Sequence, residues 1–382
     1  MANPEHGASA RRLALSVLAR IDDDGAYANI VLGHALGAAS LDRRDRGLVT
    51  ELVYGVTRMR RSLDWMADRH VLEEPDRRAR RLLRLGAYQL AYLTSIPAHA
   101  AVDETVGLAP RRLRGFVNAI LRRIAADIPI PDEAWPSPAV RWSLPDHVWS
   151  WLERDLGEDA APVAATMSLS PEVTVRDDGY RQDRGSARVV EAMAFAPGDR
   201  VLDLCAAPGG KATDLAGRGA RVVASDISVA RSGLIAKNLR AMGASGVEPV
   251  AADGTAPPFR PRLADVVLVD APCSGLGVLR RRADARWRIG PDAPERLGRT
   301  QQRLLASAAE LVRPGGSLTY SVCTMTAEET LAIDDWSRQR LPEWSAASAP
   351  PAPWQRHGRG ALLLPHVEGT DGMFLLTLNA PL

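Results

Sequence analysis

Cys273 and Cys323 are the residues of this chain best suited to covalent chemistry. Each follows an apolar run that reads as a strand. Residues 264–269 lead into Asp270-Ala-Pro-Cys-Ser-Gly275, and residues 317–322 lead into Cys323-Thr324. A thiolate is a strong nucleophile, and a carboxyl group beside it, here Asp270, can donate or share a proton. If the two strands lie in one parallel sheet, both thiols reach its carboxyl edge, where α/β proteins bind ligands.

A second stretch points to the same edge. Residues 201–204 read as a short buried strand, and Cys205-Ala-Ala-Pro-Gly-Gly-Lys211 reads as a tight turn opening a helix near Ala212. Cys205, Ala206, Ala207, Pro208, Gly209, Gly210 and Lys211 would form a cradle in which backbone approaches a ligand. Asp226 ends the next apolar run, at a distance that suits a carboxylate accepting from ribose hydroxyls. The dinucleotide pattern G-x-G-x-x-G and the phosphate loop G-x-x-x-x-G-K-[ST] are both absent. Pro208 removes an amide that a pyrophosphate would use. A nucleoside without phosphates fits better, and S-adenosylmethionine is the common one.

Thiols beside a methyl donor have a chemical meaning. Carbon 5 of cytosine is a poor nucleophile until something adds at carbon 6. A thiolate can add there, splitting one hard step into two easier ones. A carboxyl group near N3 can manage the proton as charge builds on the ring, and a second thiol can help the product leave.

The elements that must position these groups follow from the pattern. Residues 8 to about 130 read as helical, with Leu13, Val17, Leu18 and Ile21 and then Leu48, Leu52, Val53 and Val56 at helical spacing. Asp42 and Asp103 suit helix N-caps. Five prolines between 129 and 145 mark a linker, and a brief strand is expected from Val173. From Asp199 strands and helices alternate: strands at 200–205, 221–226, 247–251, 265–270 and 317–323 and near 373–378, helices near 228–242, 300–312 and 326–340. The expected fold is an all-α N-terminal domain followed by an α/β Rossmann-like domain with a mainly parallel sheet.

Composition narrows the classes. The chain has 382 residues, 46% of them hydrophobic and 25% charged, with a net charge of +2. That is ordinary for a soluble globular protein with room for two or three domains. No run approaches the ~18 apolar residues of a membrane span. Residues 1–6 lack the charged-then-apolar order of a secretory signal, so a cytoplasmic protein is expected. The three cysteines form no C-x-x-C pair, so neither zinc nor a disulfide framework is expected. Lys211 and Lys237 are the only lysines. The arginines cluster instead at 77–84, at 111–123 and at Arg280, Arg281 and Arg282, where guanidinium groups suit a phosphate backbone.

Asp203-Leu-Cys-Ala-Ala-Pro-Gly-Gly-Lys211, Asp270-Ala-Pro-Cys-Ser-Gly275 and Tyr320-Ser-Val-Cys-Thr324 together resemble the motifs of the RsmB/Sun family of RNA cytosine-5 methyltransferases. Gly25-Ala-Tyr-Ala-Asn29, Arg43-Arg-Asp-Arg46, Thr50-Glu-Leu-Val-Tyr-Gly55 and Phe116-Val-Asn-Ala-Ile-Leu-Arg-Arg123 resemble that family's NusB-like helical domain. Arg286-Trp287 and Thr370-Asp-Gly-Met-Phe374 also fit. The resemblance implies that Cys323 is the nucleophile and that Cys273 aids product release. It implies that residues 205–211, Asp226, Asp253 and Asp270 line an S-adenosylmethionine pocket, with Asp253 reading the adenine and no metal required. It further implies RNA as partner, 16S rRNA or a small-subunit assembly intermediate; the sequence does not give the oligomeric state, for which a monomer is the expectation. The domains expected are 1–128, NusB-like and RNA-binding; 129–182, linker and shortened connecting subdomain; and 183–382, methyltransferase. Members of the family carry a small subdomain between positions equivalent to Arg176 and Gln182, where this chain has only Asp177-Asp-Gly-Tyr-Arg181.

Other readings are a catalytically weak RNA-binding or ribosome-assembly factor, a methyltransferase for a different RNA, and a methyltransferase acting on an exocyclic amine or a protein. The last class typically uses an Asn-Pro-Pro loop where this chain has Asp270-Ala-Pro-Cys273, and it needs no thiol.

Overall fold

The computed structural model describes residues 4–382, with side chains from Ser9 onward, so the first three residues of the N-terminal stretch weighed above lie outside it. The chain divides into two compact units. One comprises residues up to Ser150 with Ser168–Ser170 and Leu279–Arg288; the other comprises Trp151–Met167, Pro171–Val278 and Ile289–Leu382.

The first unit is helical: α1 (Pro4–Asp23), α2 (Ala28–Ala38), α3 (Arg43–Arg58), α4 (Arg60–Asp68), α5 (Arg77–Tyr92), α6 (Ala98–Leu108), α7 (Arg111–Asp127) and the single turn α8 (Pro138–Arg141). Local chemistry sets several starts. The Asp42 side chain accepts from the Asp45 amide at the head of α3, and Asp76 accepts from Ala79 at the head of α5. The apolar stripes then close on one another. Leu52, Leu63, Leu82, Leu83, Leu85 and Leu121 are all fully buried, each stabilising the unit by about 1.5–3 kcal/mol. Ile128, Ile130 and Trp135, in the proline-rich stretch, pack against this core, and Trp135 lies 4.5 Å from Trp65. Asp103 caps nothing. It sits in the middle of α6, whose first turn follows Pro97, because the X-Pro step rather than the carboxylate ends the preceding extended chain.

After α9 (Asp146–Leu156), the second unit continues with α10 (Ala160–Met167) and α11 (Arg184–Ala192). Its sheet has nine strands: β1 (Arg200–Asp203), β2 (Arg221–Asp226), β3 (Val247–Ala251), β4 (Ala264–Asp270), β5 (Val312–Val322), β6 (Ser345–Ala346), β7 (Gln355–His357), β8 (Gly360–Leu363) and β9 (Met373–Asn379). Helices α12 (Gly210–Gly217), α13 (Val229–Met242), α14 (Ala293–Leu311), α15 (Leu331–Arg340) and the short α16 (Pro365–Glu368) connect them. The order is β3-β2-β1-β4-β5-β9-β8-β7, with β6 pairing β9. Strands β1 to β5 run parallel and β9 runs antiparallel to β5. The order reverses between β1 and β4, so the ligand crevice of such a sheet opens at the carboxyl ends of those two strands.

The Rossmann-like expectation holds, with local corrections. The strand expected from Val173 is only an isolated bridge between Val175 and Arg181. Helix α14 starts at Ala293 instead of 300, since Pro294 in its first turn is a helix start. The helix expected from 326 begins at Leu331, after a 3₁₀ turn at Ala327–Glu329. Strand β5 begins at Val312, passing through a register shift. Strands β6 to β8, two to four residues long, and helix α11, whose start is set by the Asp183 side chain accepting from the Gly185 amide, were not anticipated. Among the described residues no helix is long and apolar enough to cross a membrane.

Candidate active site

Strand β1 ends at Asp203, and the chain turns through 204–209 into α12. Gly209 makes the turn possible: its φ of +101° is a conformation other residues rarely adopt, and a Cβ there would lie 3.1 Å from Ile235. The turn is braced from outside by the shortened connection. Arg176 donates to the Gly210 carbonyl (2.7 Å) and to the Thr213 hydroxyl (3.0 Å), while Tyr180 and Gln182 lie over Gly210.

Lys211, at the start of α12, reaches back across the sheet end and donates to Asp270, at the end of β4, at 2.7 Å. Burial works against the Lys211 ammonium, but Asp270 more than offsets it, so its pKa lies above the ordinary lysine value. Beside this pair Asp203 is buried, and neither of its carboxyl oxygens makes a well-formed hydrogen bond. Burial, reinforced by Asp270, pushes it up to about 8 against the opposing pull of Lys211 and the Cys205 amide. It is therefore mostly protonated at neutral pH, leaving Lys211 and Asp270 as the ionised pair.

The two thiols meet beside them. Cys273 Sγ and Cys323 Sγ are 3.1 Å apart, both cysteines are half-buried, and neither forms a disulfide. The backbone draws the two segments together. The Gly277 amide donates to the Cys323 carbonyl (2.9 Å), and the Gly372 amide donates to the Gly277 carbonyl (3.0 Å). A Cβ on Gly277 would fall 2.0 Å from the Gly372 oxygen, so only glycine allows this approach. The hydrogen bond from Cys273 lowers the pKa of Cys323, helped by Lys211 and opposed by burial, Asp270 and Asp371. Cys273, giving that hydrogen bond, is raised, as burial, Glu329 and Asp270 also dictate. One thiol is thus disposed to be the anion and its neighbour to hold the proton.

The other expected residues fall around the same edge. Asp226 ends β2, nearly buried; its Oδ1 accepts from the Ser228 amide and its Oδ2 meets Arg231 at 3.2 Å. Asp253 follows β3 and is exposed, with Oδ1 held by the amide and hydroxyl of Thr255 at 2.8 Å each. Cys205, Ala206, Ala207 and Pro208 form the turn itself, and burial, with the surrounding carboxylates, raises the Cys205 thiol beyond use as a nucleophile. The donor set suits a cationic nucleoside. The carboxylates of Asp226, Asp253 and Asp270 and the neutral carboxyl of Asp203 stand at this edge, and its cations Lys211 and Arg231 are engaged by Asp270 and Asp226. A phosphate would find no uncommitted charge there. No group of His, Cys, Asp and Glu among the described residues could hold a metal ion.

Sequence reasoning missed three parts of this site. Asp203 was legible as the end of a strand, but its isolation needed three dimensions. Glu329 and Gln301, which hold the thiol segments, had no motif. The brace from Arg176, Tyr180 and Gln182 had no signal either.

The basic clusters divide. Arg80, Arg81 and Arg84 pair with Asp68, Asp23 and Asp64, so that group is largely neutralised within the helical unit. Arg280 is buried, and its carbonyl accepts from Arg58 at 2.9 Å, which corrects its assignment to an RNA-facing surface. Arg111, Arg122 and Arg123, on α7, are exposed, as are Arg281 and Arg282.

Residues 190–379 match the family described as 16S rRNA methyltransferase RsmB/F, and residues 8–126 match the NusB family. Ribosomal RNA small subunit methyltransferase B of Thermus thermophilus is 35% identical over 97% of this chain and 97% of its own. The protein of the same name from Xanthomonas campestris is 30% identical, again over 97% of each chain. These alignments run to 401 and 427 positions, longer than the 382 residues here, so both relatives carry sequence this chain lacks. The crystal structure of PH0851 matches with a TM-score of 0.74 over 99% of both chains at 21% identity, which shows the shared fold.

Proposed function

The chain belongs to the RsmB/F family of 16S rRNA methyltransferases, and on that footing we propose that it methylates carbon 5 of a cytosine in RNA, with 16S rRNA as the target. The observation that carries this reading is the thiol pair, 3.1 Å apart, beside the Lys211–Asp270 ion pair. Methyl transfer to an exocyclic amine has no use for such a pair.

S-adenosylmethionine, when bound, supplies the electrophilic methyl group. Residues 205–211 would cradle it, with Asp226 toward the ribose and Asp253 toward the adenine. Cys323, favoured as thiolate, adds to carbon 6 of the cytosine, and the ring's electron pair moves so that carbon 5 becomes nucleophilic. The Lys211–Asp270 pair supplies the proton that N3 takes up as charge builds there: the Lys211 ammonium carries it, and Asp270, which accepts from Lys211, passes it to the ring. Once the methyl has passed to carbon 5, the proton there is lost to water, its C–H electrons reform the 5,6 double bond, and the bond from carbon 6 to Cys323 breaks so that Cys323 departs as thiolate. Cys273 aids that release. The target base must be unpaired or flipped out to present its face to Cys323. Exposed arginines of the helical unit would hold RNA through its phosphates.

The test is incubation of the purified chain with labelled S-adenosylmethionine and unmodified 16S rRNA, followed by nucleoside analysis. The expected result is 5-methylcytidine at a single site. Label in a different nucleoside would refute the cytosine-5 reading. Binding of S-adenosylmethionine without transfer would favour another RNA or an assembly factor.

A further inference from the structure

We propose that Glu329 is a positioning residue that decides which of the two thiols keeps the proton, by tying both thiol segments to one buried carboxylate. The inference rests on the reading of Cys323 as nucleophile given above.

Glu329 has no solvent exposure. Its Oε1 accepts from the Ser274 amide, next to Cys273, and from Gln301 Nε2, both at 2.9 Å. Its Oε2 accepts from the Thr326 hydroxyl, three residues beyond Cys323, at 2.9 Å. The same Gln301 nitrogen donates to the Pro272 carbonyl at 2.9 Å. Gln301 is itself oriented by Tyr320, whose hydroxyl lies within hydrogen-bond distance of both Gln301 Oε1 (2.9 Å) and the Glu329 carbonyl (2.8 Å) and shares its single proton between them. A final link, Ser274 Oγ to Thr324 Oγ1 at 2.7 Å, joins the two segments directly. Residues 272–274 and 324–326 are thus fixed from both sides, and the thiols between them are held in contact.

The three groups facing the carboxylate are all donors, which suits the ionised form even though burial raises its pKa. An anion in this place is not neutral toward the thiols. Asp270 acts on both of them and so does not distinguish them. The charges that do are Lys211, which favours the Cys323 anion, and Glu329, whose carboxylate is bound to the amide directly after Cys273 but reaches the other segment only at Thr326, three residues beyond Cys323, and so disfavours an anion on Cys273. Asp371 opposes the Cys323 anion, and Tyr320, pushed up by burial, stays neutral. Without Glu329 the proton would be shared more evenly, and the nucleophile would spend more of its time as a thiol.

Alkylation reads this directly. The full-length protein is treated with iodoacetamide across pH 6 to 10, without RNA or donor, and each cysteine peptide is quantified by mass spectrometry. In the wild type Cys323 should label with a midpoint clearly below that of Cys273. In Glu329→Gln the labelling ratio of Cys323 to Cys273 at pH 7 should fall about tenfold, one pKa unit of lost discrimination. A ratio unchanged in a folded Glu329→Gln protein overturns the proposal, as do equal midpoints in the wild type. Thr326→Val, which unties one segment and keeps the charge, should retain most of the ratio; collapse there would overturn the role of the charge. None of these readings requires methyl transfer. If the chain methylates no cytosine while the ratio falls as expected, the proposed reaction fails and the role of Glu329 stands.

Discussion

Replacing Asp203 by asparagine should change how stability depends on pH. In the folded chain burial, with Asp270, raises this carboxyl from 3.8 up to about 8. Between roughly pH 4 and 8 the folded state therefore binds a proton that the unfolded state does not. Stability from this group is greatest below the unfolded value and declines as pH rises through the window. At about 1.36 kcal/mol per unit, the decline from pH 5 to pH 8 is about 3–4 kcal/mol. Asparagine is neutral throughout and escapes it. The stability difference between Asp203→Asn and wild type should thus widen in the variant's favour by about 3 kcal/mol over that range. Urea unfolding at each pH measures it. The transition to follow is the one that S-adenosylhomocysteine displaces, since a ligand stabilises only the domain that binds it. Parallel stability curves for the two proteins would show that Asp203 is ionised in the fold and would refute the account of the crevice floor.

Other outcomes follow from the same geometry. Cys323→Ala should abolish both the covalent RNA adduct and methyl transfer, whereas Cys273→Ala should slow release so that adduct accumulates on denaturing gels; activity in Cys323→Ala would exclude the thiol mechanism. Adduct formation by the wild type should be half-maximal below the ordinary thiol range near pH ~8.5, because Cys323 is lowered, with the rate rising as pH climbs toward that midpoint. Arg176→Ala, losing its bonds to Gly210 and Thr213, should weaken S-adenosylmethionine binding about tenfold by calorimetry. Arg111→Gln and Arg123→Gln should each reduce the salt slope of RNA binding by about 1, while Arg81→Gln, whose charge is spent on Asp23, should leave that slope alone.

Much of the chemistry was legible because it is written as short contiguous motifs at strand ends. The residues 201–211, Asp270 with Cys273, and Cys323 each mark the point where a buried apolar run stops, and a parallel sheet must carry such points to one edge. The helical repeat likewise exposed the first unit, since Leu52, Leu83 and Leu121 lie on apolar stripes whose period is local. Strands β6 to β8 were not legible, being two to four residues long and held by β9 and by one another rather than by their own pattern.

What sequence alone determined, then, was which residue types stand at the ends of which elements, because alternation and capping are properties of neighbours in the chain. The tertiary structure decided the rest. It set Cys273 against Cys323 across 50 positions of sequence, bound Lys211 to Asp270, and buried Asp203 without a well-formed hydrogen bond. It also consumed Arg80, Arg81 and Arg84 in ion pairs that the bare spacing of arginines could not foretell. Proton affinity and free charge depend on burial and on partners remote in sequence, and neither exists until the chain has folded.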